Sequence, residues 1–362
     1  MQTANQRLLQ HELQQLVETI SITSDQLESL RRAPIGKING LKDIESSLVL
    51  LYKALITIDP SFVAGSRSAG ELDKISSSSG FGNSELARMQ ALQEKRDRYL
   101  SEGAIFLDRL KKHMEITFGA AFLATRDALK NIDQGSMPSL KKNVEAHDLG
   151  RNELWMLSPV MLFAKEIDRS SWDALLRMYQ TQAAKVYLDE VRDNILAWRK
   201  FARKPTGEEQ ELLFTAQEKE TESITGTARK LTVKRSQTLA RGLRSASGEK
   251  EEKKANKAQD GKLYAFDVFG RILEDTGPVL LTEQNFITEF FHATSNDAVD
   301  FPDAVQAASP ENRRGPNLWI RKQFEADRAM AKHVTGVMEE IFSFWPTEIQ
   351  SLVDWAVQAD PL

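Results

Sequence analysis

Residues 154–167 read LWMLSPVMLFAKEI, the most apolar run in an otherwise charged chain, and its length and pattern restrict the fold. A membrane-spanning helix needs roughly 20 consecutive apolar residues, but Glu153 and Lys165 bracket this run and Ser-Pro divides it. It also lacks the strict alternation of a half-buried strand. Ser158 before Pro159 is typical of a helix start, because Ser can cap free N–H groups and Pro has no N–H to leave unsatisfied. The pattern predicts that LWML ends one short helix and that PVMLFAKEI begins the next.

The following residues, 170–204, predict the longest regular helix. Ser170 and Asp173 form a variant of a capping box, and apolar residues recur at helical spacing from Trp172 to Trp198. At about 1.5 Å per residue such a helix is roughly 45 to 50 Å long. This length exceeds what a small globular domain needs and is typical of elongated bundles.

We therefore expect the run at 154–167, termed the elbow, to be a junction where a short helix packs against this long helix. The residues expected to form the junction are Trp155, Ser158, Pro159, Met161, Phe163 and Trp172.

The rest of the chain has the same helical character. Apolar stripes predict helices over about 9–20, 41–58 and 84–129, two more within 263–291, and two over 317–345 and 346–358. Residues 64–83, 133–150 and 302–316 are rich in Gly, Ser or Pro and predict connectors. No alternating strand pattern occurs in the sequence. The predicted class is all-α, an elongated rod of stacked helical bundles with long amphipathic helices.

Residues 205–260 differ from both flanks in composition. Lys, Glu, Ser, Thr and Ala dominate them, which predicts a disordered insertion, because too little apolar surface is available to offset the entropy of ordering. The predicted organisation is a helical bundle at 1–204, a charged linker at 205–260 and a second bundle at 261–362.

Composition excludes several classes of protein. The 362 residues contain no Cys, so a disulfide framework and a thiolate nucleophile are ruled out. The net charge of −4 argues against a dedicated nucleic-acid binder, whose phosphate contacts require a basic excess. The first 20 residues do not have the pattern of a secretory signal peptide. We expect a cytoplasmic protein.

The residue types of catalysis and metal binding do not form recognisable patterns. The five His residues are scattered without metal-ligand spacing. Gly80 and Gly82 begin a GxG pattern, but Glu85 occupies the third glycine position and no strand precedes it. The sequence therefore predicts no enzyme activity, no cofactor and no metal site.

A basic segment at 228–247 has regulatory potential, because it contains six basic residues and no acidic one. A charged solubilising linker is the favoured interpretation. Two alternatives stay open: modification by a basophilic kinase and contact with anionic lipid or a partner. The candidate phosphorylation sites are Ser236, Thr238, Ser245 and Ser247; the candidate contact residues are Arg229, Lys230, Lys234, Arg235, Arg241 and Arg244.

Several stretches together resemble one protein family, the Sec-three subunit of the exocyst (exocyst complex component one) in its fungal form. They are QTANQRLLQHELQQLVETISI at 2–22, ALQEKRDRYLSEGAIFLDRLKKHMEITF at 91–118, and LWMLSPVMLFAKEIDRSSWDALLRMYQTQAAKVYLDEV at 154–191. The third is the most specific, through Leu157, Pro159, Val160, Met161, Trp172, Leu175, Leu176 and Tyr179. NFITEFF at 285–291 and residues 319–355 fit less distinctively.

This resemblance implies a structural tether. The family belongs to a complex that holds secretory vesicles at the plasma membrane, so the implied partners are other exocyst subunits and the implied location is the cytoplasm at sites of polarised secretion. Family members also have an N-terminal region that binds Rho-family GTPases and phosphoinositides. We expect this chain to be a fragment of the C-terminal helical region without that part, so neither contact is assigned to its residues. The alternative function is a peripheral membrane-binding helical module that uses the basic segment 229–244.

Overall fold

The structure is a computed structural model that describes residues 17–59, 90–131, 138–204, 262–294, 299–320 and 328–359, with residues 7, 10, 11 and 14. Over these ranges it has ten named α-helices: α1 Ser24–Arg32, α2 Ile38–Ile58, α3 Gln90–Lys130, α4 Leu140–Asn152, α5 Ser158–Ile167, α6 Arg169–Phe201, α7 Ala265–Phe290, α8 Phe301–Ala307, α9 Arg328–Ile341 and α10 Trp345–Ala359. Residues 7, 10, 11, 14 and 17–20 are also helical. The described residues contain no strand, only an isolated bridge between Ala202 and Leu263. The prediction of an all-α fold is confirmed.

Local chemistry explains the bounds of the first two helices. Thr23 caps α1 by accepting from the backbone N–H of Gln26, whose side chain in turn accepts from the N–H of Thr23. The chain becomes extended at Ala33, immediately before Pro34, as expected for a residue that precedes proline. α2 ends in the same way at Asp59, before Pro60.

The helix α4 corrects the prediction of a connector over 133–150. Leu140, Val144 and His147 are buried at helical spacing, and Gly150 faces the backbone of Ala121 in α3. A Cβ atom at residue 150 would lie 2.5 Å from the Ala121 carbonyl oxygen, so the glycine permits close packing of the two helices. The glycine that suggested a loop in fact belongs to a helix contact.

The helix α7 corrects the prediction of two helices within 263–291. It continues through Pro278 although proline cannot donate a backbone hydrogen bond. Ile272 before this proline and Val279 and Phe286 after it are all buried, and this burial outweighs the missing bond. The turn-rich patch expected at 302–316 likewise contains α8 and a short 3-10 helix, Pro310–Asn312.

The chain forms two compact units that cut across the predicted division at 204 and 261. Unit 1 comprises residues 1–133, 140–188 and 277–343. Unit 2 comprises residues 134–139, 189–276 and 344–362, and its apolar core consists of Val191, Ile195, Trp198, Val268, Ile272 and Leu352. Unit 1 contains parts of both predicted bundles, because α8 packs on α2 and α5.

Some sequence predictions lie outside the described residues. These are the loop at 64–83 and the charged insertion at 205–260. Within the described part of the chain, no helix combines the length and apolarity needed to cross a membrane.

Candidate functional site

The elbow lies within unit 1 and begins with a 3-10 helix, Leu154–Leu157, that continues directly into α5. Trp155 is 6% exposed, and its ring meets Phe286 and Phe290 of α7 edge-on at centroid distances of 5.4 and 5.8 Å. Gly315 approaches the same indole so closely that a Cβ atom there would lie 2.3 Å from it. The tryptophan therefore packs between α7 and a C-terminal loop.

Ser158 does not cap α5, and that prediction is wrong. The N-cap position belongs to Leu157, with no side-chain cap, while Pro159 lies in the first turn as expected. The Ser158 hydroxyl instead lies 3.0 Å from Nε2 of His292 and 3.4 Å from the Phe290 carbonyl oxygen. The hydroxyl therefore contacts residues at the C-terminal end of α7 and not the free N–H groups of its own helix.

The centre of α5 is fully enclosed. Met161 and Phe163 are both 0% exposed, and Pro159 is buried. The Phe163 ring makes edge contacts with Phe106 of α3 at 6.2 Å and Phe301 of α8 at 5.1 Å. Pro159, Met161 and Phe163 are therefore core residues, and Phe163 joins three helices.

Trp172 is also 0% exposed, and its indole Nε1 donates to the carbonyl oxygen of Phe291 at 2.8 Å. The guanidinium of Arg169 lies 4.0 Å from the centroid of its ring, and His333 of α9 stacks on it at 5.3 Å. Burial, followed by the charge of Arg169, lowers the pKa of His333 below its usual value, although Asp173 acts in the opposite direction. The lowered pKa favours the neutral imidazole at this position, where the Arg169 guanidinium is close.

Asp168, rather than a Ser170–Asp173 capping box, caps the N-terminus of α6, so that prediction is also wrong. Its carboxylate accepts from the Ser170 N–H at 3.0 Å and the Ser171 hydroxyl at 2.6 Å. Burial favours a higher pKa for Asp168, but these hydrogen bonds hold the pKa below its usual value. Asp168 precedes the helix by one residue, which is the position from which a carboxylate reaches its free N–H groups.

A buried ion pair links the elbow to α2 and to the loop that follows the 3-10 helix Pro310–Asn312. The Arg313 guanidinium donates to the two carboxylate oxygens of Glu45 in α2 at 2.6 and 3.0 Å, and the side chains are 6% and 3% exposed. Arg313 also donates to the carbonyl oxygens of Met156 at 2.7 Å and Ala308 at 3.1 Å. Burial raises the pKa of Glu45 despite the opposing effect of Arg313.

A second buried polar cluster ties α4 to α7 and α6. Arg151 donates to Glu283 at 2.5 Å and to the Tyr187 hydroxyl at 3.1 Å, and that hydroxyl donates to Glu283 at 2.8 Å. Glu283 is 0% exposed, and His147 stacks on Tyr187 at 4.7 Å. Each charge is paired inside unit 1, which positions three helices.

These two ion pairs were not predicted from the sequence. Arg313 and Glu45 are 268 residues apart, and nothing about either residue type distinguishes it among 48 basic and 52 acidic residues. Only the glycine and proline at 315–316 mark the C-terminal loop as unusual. The predicted phosphorylation and lipid-contact residues, from Arg229 to Ser247, lie outside the described residues.

The described residues contain no group of three His, Asp or Glu side chains that could hold a metal ion. The charged groups of the junction bond to one another, and its aromatic groups pack together. What this arrangement can do chemically is fix several helices in one geometry.

Family models match both ends of the chain. Residues 1–57 match the model described as exocyst complex component Sec3, coiled-coil, and residues 290–362 match the model described as exocyst complex component Sec3, C-terminal. Comparison with curated proteins and with solved structures returned no match. Glu45 lies in the first matched segment and Arg313 in the second.

Proposed function

Since the chain belongs to the Sec3 family of exocyst components, we propose that it is a structural subunit of the exocyst that helps to hold secretory vesicles at the plasma membrane. It acts by contact with other exocyst subunits and not by catalysis. Its location is the cytoplasm, with recruitment to the plasma membrane at sites of polarised secretion. The observation that carries this proposal is the family match at both ends of the chain.

The apolar pattern of the segment before Ser24 supports a partner contact. Leu9, Leu13, Leu16 and Ile20 follow one another at spacings of four, three and four residues, which is the a/d spacing of a coiled coil. Val17 beside this stripe is 54% exposed. We propose that an apolar helix of a partner subunit packs on this stripe.

Co-purification of the chain with the other exocyst subunits, followed by crosslink mapping, tests the proposal. We expect recovery of the subunits with crosslinks at residues 1–20, and weaker recovery with Val17→Asp. Ile116→Asp is the matched control, because Ile116 is 74% exposed and lies outside both matched segments. Recovery of no other subunit by the unaltered chain would refute the proposal.

A second candidate function, direct membrane binding, rests on the charge of residues 229–244. Each basic residue near an anionic membrane contributes roughly 1 kcal/mol. Flotation with vesicles that contain anionic lipid tests it: neutralising Arg235, Arg241 and Arg244 together should abolish flotation.

Phosphate at Ser236, Thr238, Ser245 or Ser247 would reverse the local charge of the same segment. Phosphopeptide mass spectrometry that finds none of these residues modified in cells would refute the kinase hypothesis.

A further inference from the structure

We infer that α2, although it lies in the segment matched by the coiled-coil model, is a core helix of unit 1 that the Glu45–Arg313 pair holds in place. Pairing with a partner helix is then confined to residues before Ser24. The inference deepens the proposed function and rests on it, because it states which part of the matched segment can face another subunit.

The buried surface of α2 is too wide for the seam of a coiled coil. Eleven of its 21 residues are buried: Gly40, Leu41, Ile44, Glu45, Ser47, Leu48, Leu51, Tyr52, Ala54, Leu55 and Ile58. At about 100° per residue they cover roughly half of the helix circumference. A two-stranded coiled coil uses only the narrow a/d stripe. The apolar side of α2 is therefore already occupied within its own chain.

Four segments of unit 1 cover α2. α1 contacts it through the hydroxyls of Ser29 and Ser47, which lie 2.7 Å apart. α3 packs on it, and α8 contacts it through the rings of Phe301 and Tyr52 at 5.7 Å. The 3-10 helix Pro310–Asn312, which directly precedes Arg313, is the fourth. A partner helix could reach this side only if all four moved away.

Arg313 bonds α2 to the segments that cover it. Its two bonds to Glu45 are parallel, and its remaining bonds go to carbonyl oxygens of Met156 and Ala308. Because both charges are buried, loss of either one leaves the other without a counter-charge away from water. A single side chain thus connects α2, the elbow and the C-terminal matched segment.

The residues before Ser24 are different. The described helical residues at 7, 10, 11, 14 and 17–19 are exposed. Ile20 is 4% exposed, and its carbonyl oxygen accepts from the Tyr99 hydroxyl at 2.6 Å, which ties the end of this helix to α3. The boundary between the surface available to a partner and the internal part of the matched segment lies between this anchor and Ser24.

Hydrogen exchange of the full chain, alone and bound to the other exocyst subunits, tests the inference. We expect slow exchange over residues 38–58 in the free chain, no further change in the complex, and new protection over residues 1–20. Fast exchange of α2 in the free chain, or protection gained by α2 only in the complex, overturns the inference. If no complex forms, the proposed function fails, whereas the free chain alone still decides whether α2 is internal.

Variants of the ion pair test its role. Arg313→Met should speed exchange over α2 by about a hundredfold or more, because it leaves Glu45 buried and unpaired. Arg313→Lys keeps the charge but loses the parallel bonds, so it should give a smaller increase in exchange rate. This variant replaces the Met variant in the test if the Met variant does not fold.

The nearby pair Lys42–Glu311, at 2.8 Å and about 40% exposed, is the matched control. Its alanine variants should change exchange by less than about fivefold. An Arg313 variant that behaves like this control would disprove the role of the pair.

Discussion

Gly315 lies directly against the indole of Trp155, and a Cβ atom built at residue 315 would come within 2.3 Å of both Cε2 and Nε1. The indole cannot yield, because Phe286 and Phe290 flank it. The absence of a side chain at 315 is therefore a requirement of the contact between the C-terminal loop and the elbow.

Gly315→Ala should lower the free energy of unfolding by about 1 to 3 kcal/mol, since the added methyl group must displace a rigid ring. Gly336→Ala in α9 is the matched control, because a Cβ atom there would meet nothing within 4 Å. The control should be more stable than the unaltered chain by roughly 0.5 to 1 kcal/mol. Urea denaturation measures both, and equal behaviour of the two variants would contradict the packing described.

Met161→Asp should destabilise the fold by about 3 to 5 kcal/mol, because it introduces an unpaired charge at a position that is 0% exposed. Met161→Leu, which nearly conserves volume, should cost less than about 1.5 kcal/mol. Thermal unfolding followed by circular dichroism measures the difference. An unchanged melting temperature for Met161→Asp would place this residue on a surface and not in the core.

Arg151→Leu should cost about 3 to 5 kcal/mol, because it leaves Glu283 charged and fully buried. The double variant Arg151→Leu with Glu283→Leu should recover much of that loss, since no unpaired charge then remains. Denaturation of the four proteins of this cycle measures the coupling. Additive losses would show that the two residues act independently.

Asp168→Ala should cost about 0.5 to 2 kcal/mol, because Asp168 caps α6. Ser170→Ala should cost less, because it removes only the hydroxyl bond to Asp168 at 2.7 Å and keeps the bond from the Ser170 backbone N–H. Because the folded-state pKa of Asp168 is below its usual value, the stabilisation is present at neutral pH and is lost as the pH falls through that pKa. Denaturation at several pH values compares the two variants, and a larger loss for Ser170→Ala would restore the capping box.

Two histidines should make the fold sensitive to mild acid. Burial, followed by the charge of Arg109, lowers the pKa of His113, and burial lowers that of His333. Below the usual value of 6.5, the unfolded chain binds protons that the folded chain does not. Stability should therefore be complete above that pH and should decrease as the pH falls below it.

Replacement of either histidine by Gln should flatten the dependence of unfolding free energy on pH between about pH 7 and about pH 5.5. A slope that stays the same in both variants would mean that other groups cause the acid sensitivity.

The helical class could be predicted because the apolar stripes are long. The stripe from Trp172 to Trp198 contains enough turns to identify α6, which the structure extends over 33 residues. Short or interrupted stripes misled the prediction. Gly150 suggested a loop where it permits close packing on α3, and the apolar stripe within 263–291 was divided in two where burial on both sides of Pro278 maintains one helix.

The polar contacts of the junction could not be predicted in the same way. Local spacing placed the start of α5 correctly at Ser158 but assigned its hydroxyl to capping, whereas that hydroxyl bonds to residues 132 and 134 positions away. Periodicity describes which face of a helix is apolar and carries no information about which distant segment covers it. The ion pairs of Arg313 and Arg151 depend on tertiary structure for the same reason.

The distance in sequence between Glu45 and Arg313 also determines when unit 1 can be completed during synthesis. Their 268-residue separation takes the ribosome roughly 13 to 54 s to translate at about 5 to 20 residues per second. Throughout that interval the nascent chain carries α2 without the 3-10 helix and α8 that later cover it. Contacts of such long range also slow folding. The newly made N-terminal half therefore presents an apolar surface to chaperones and to neighbouring nascent chains until Arg313 emerges.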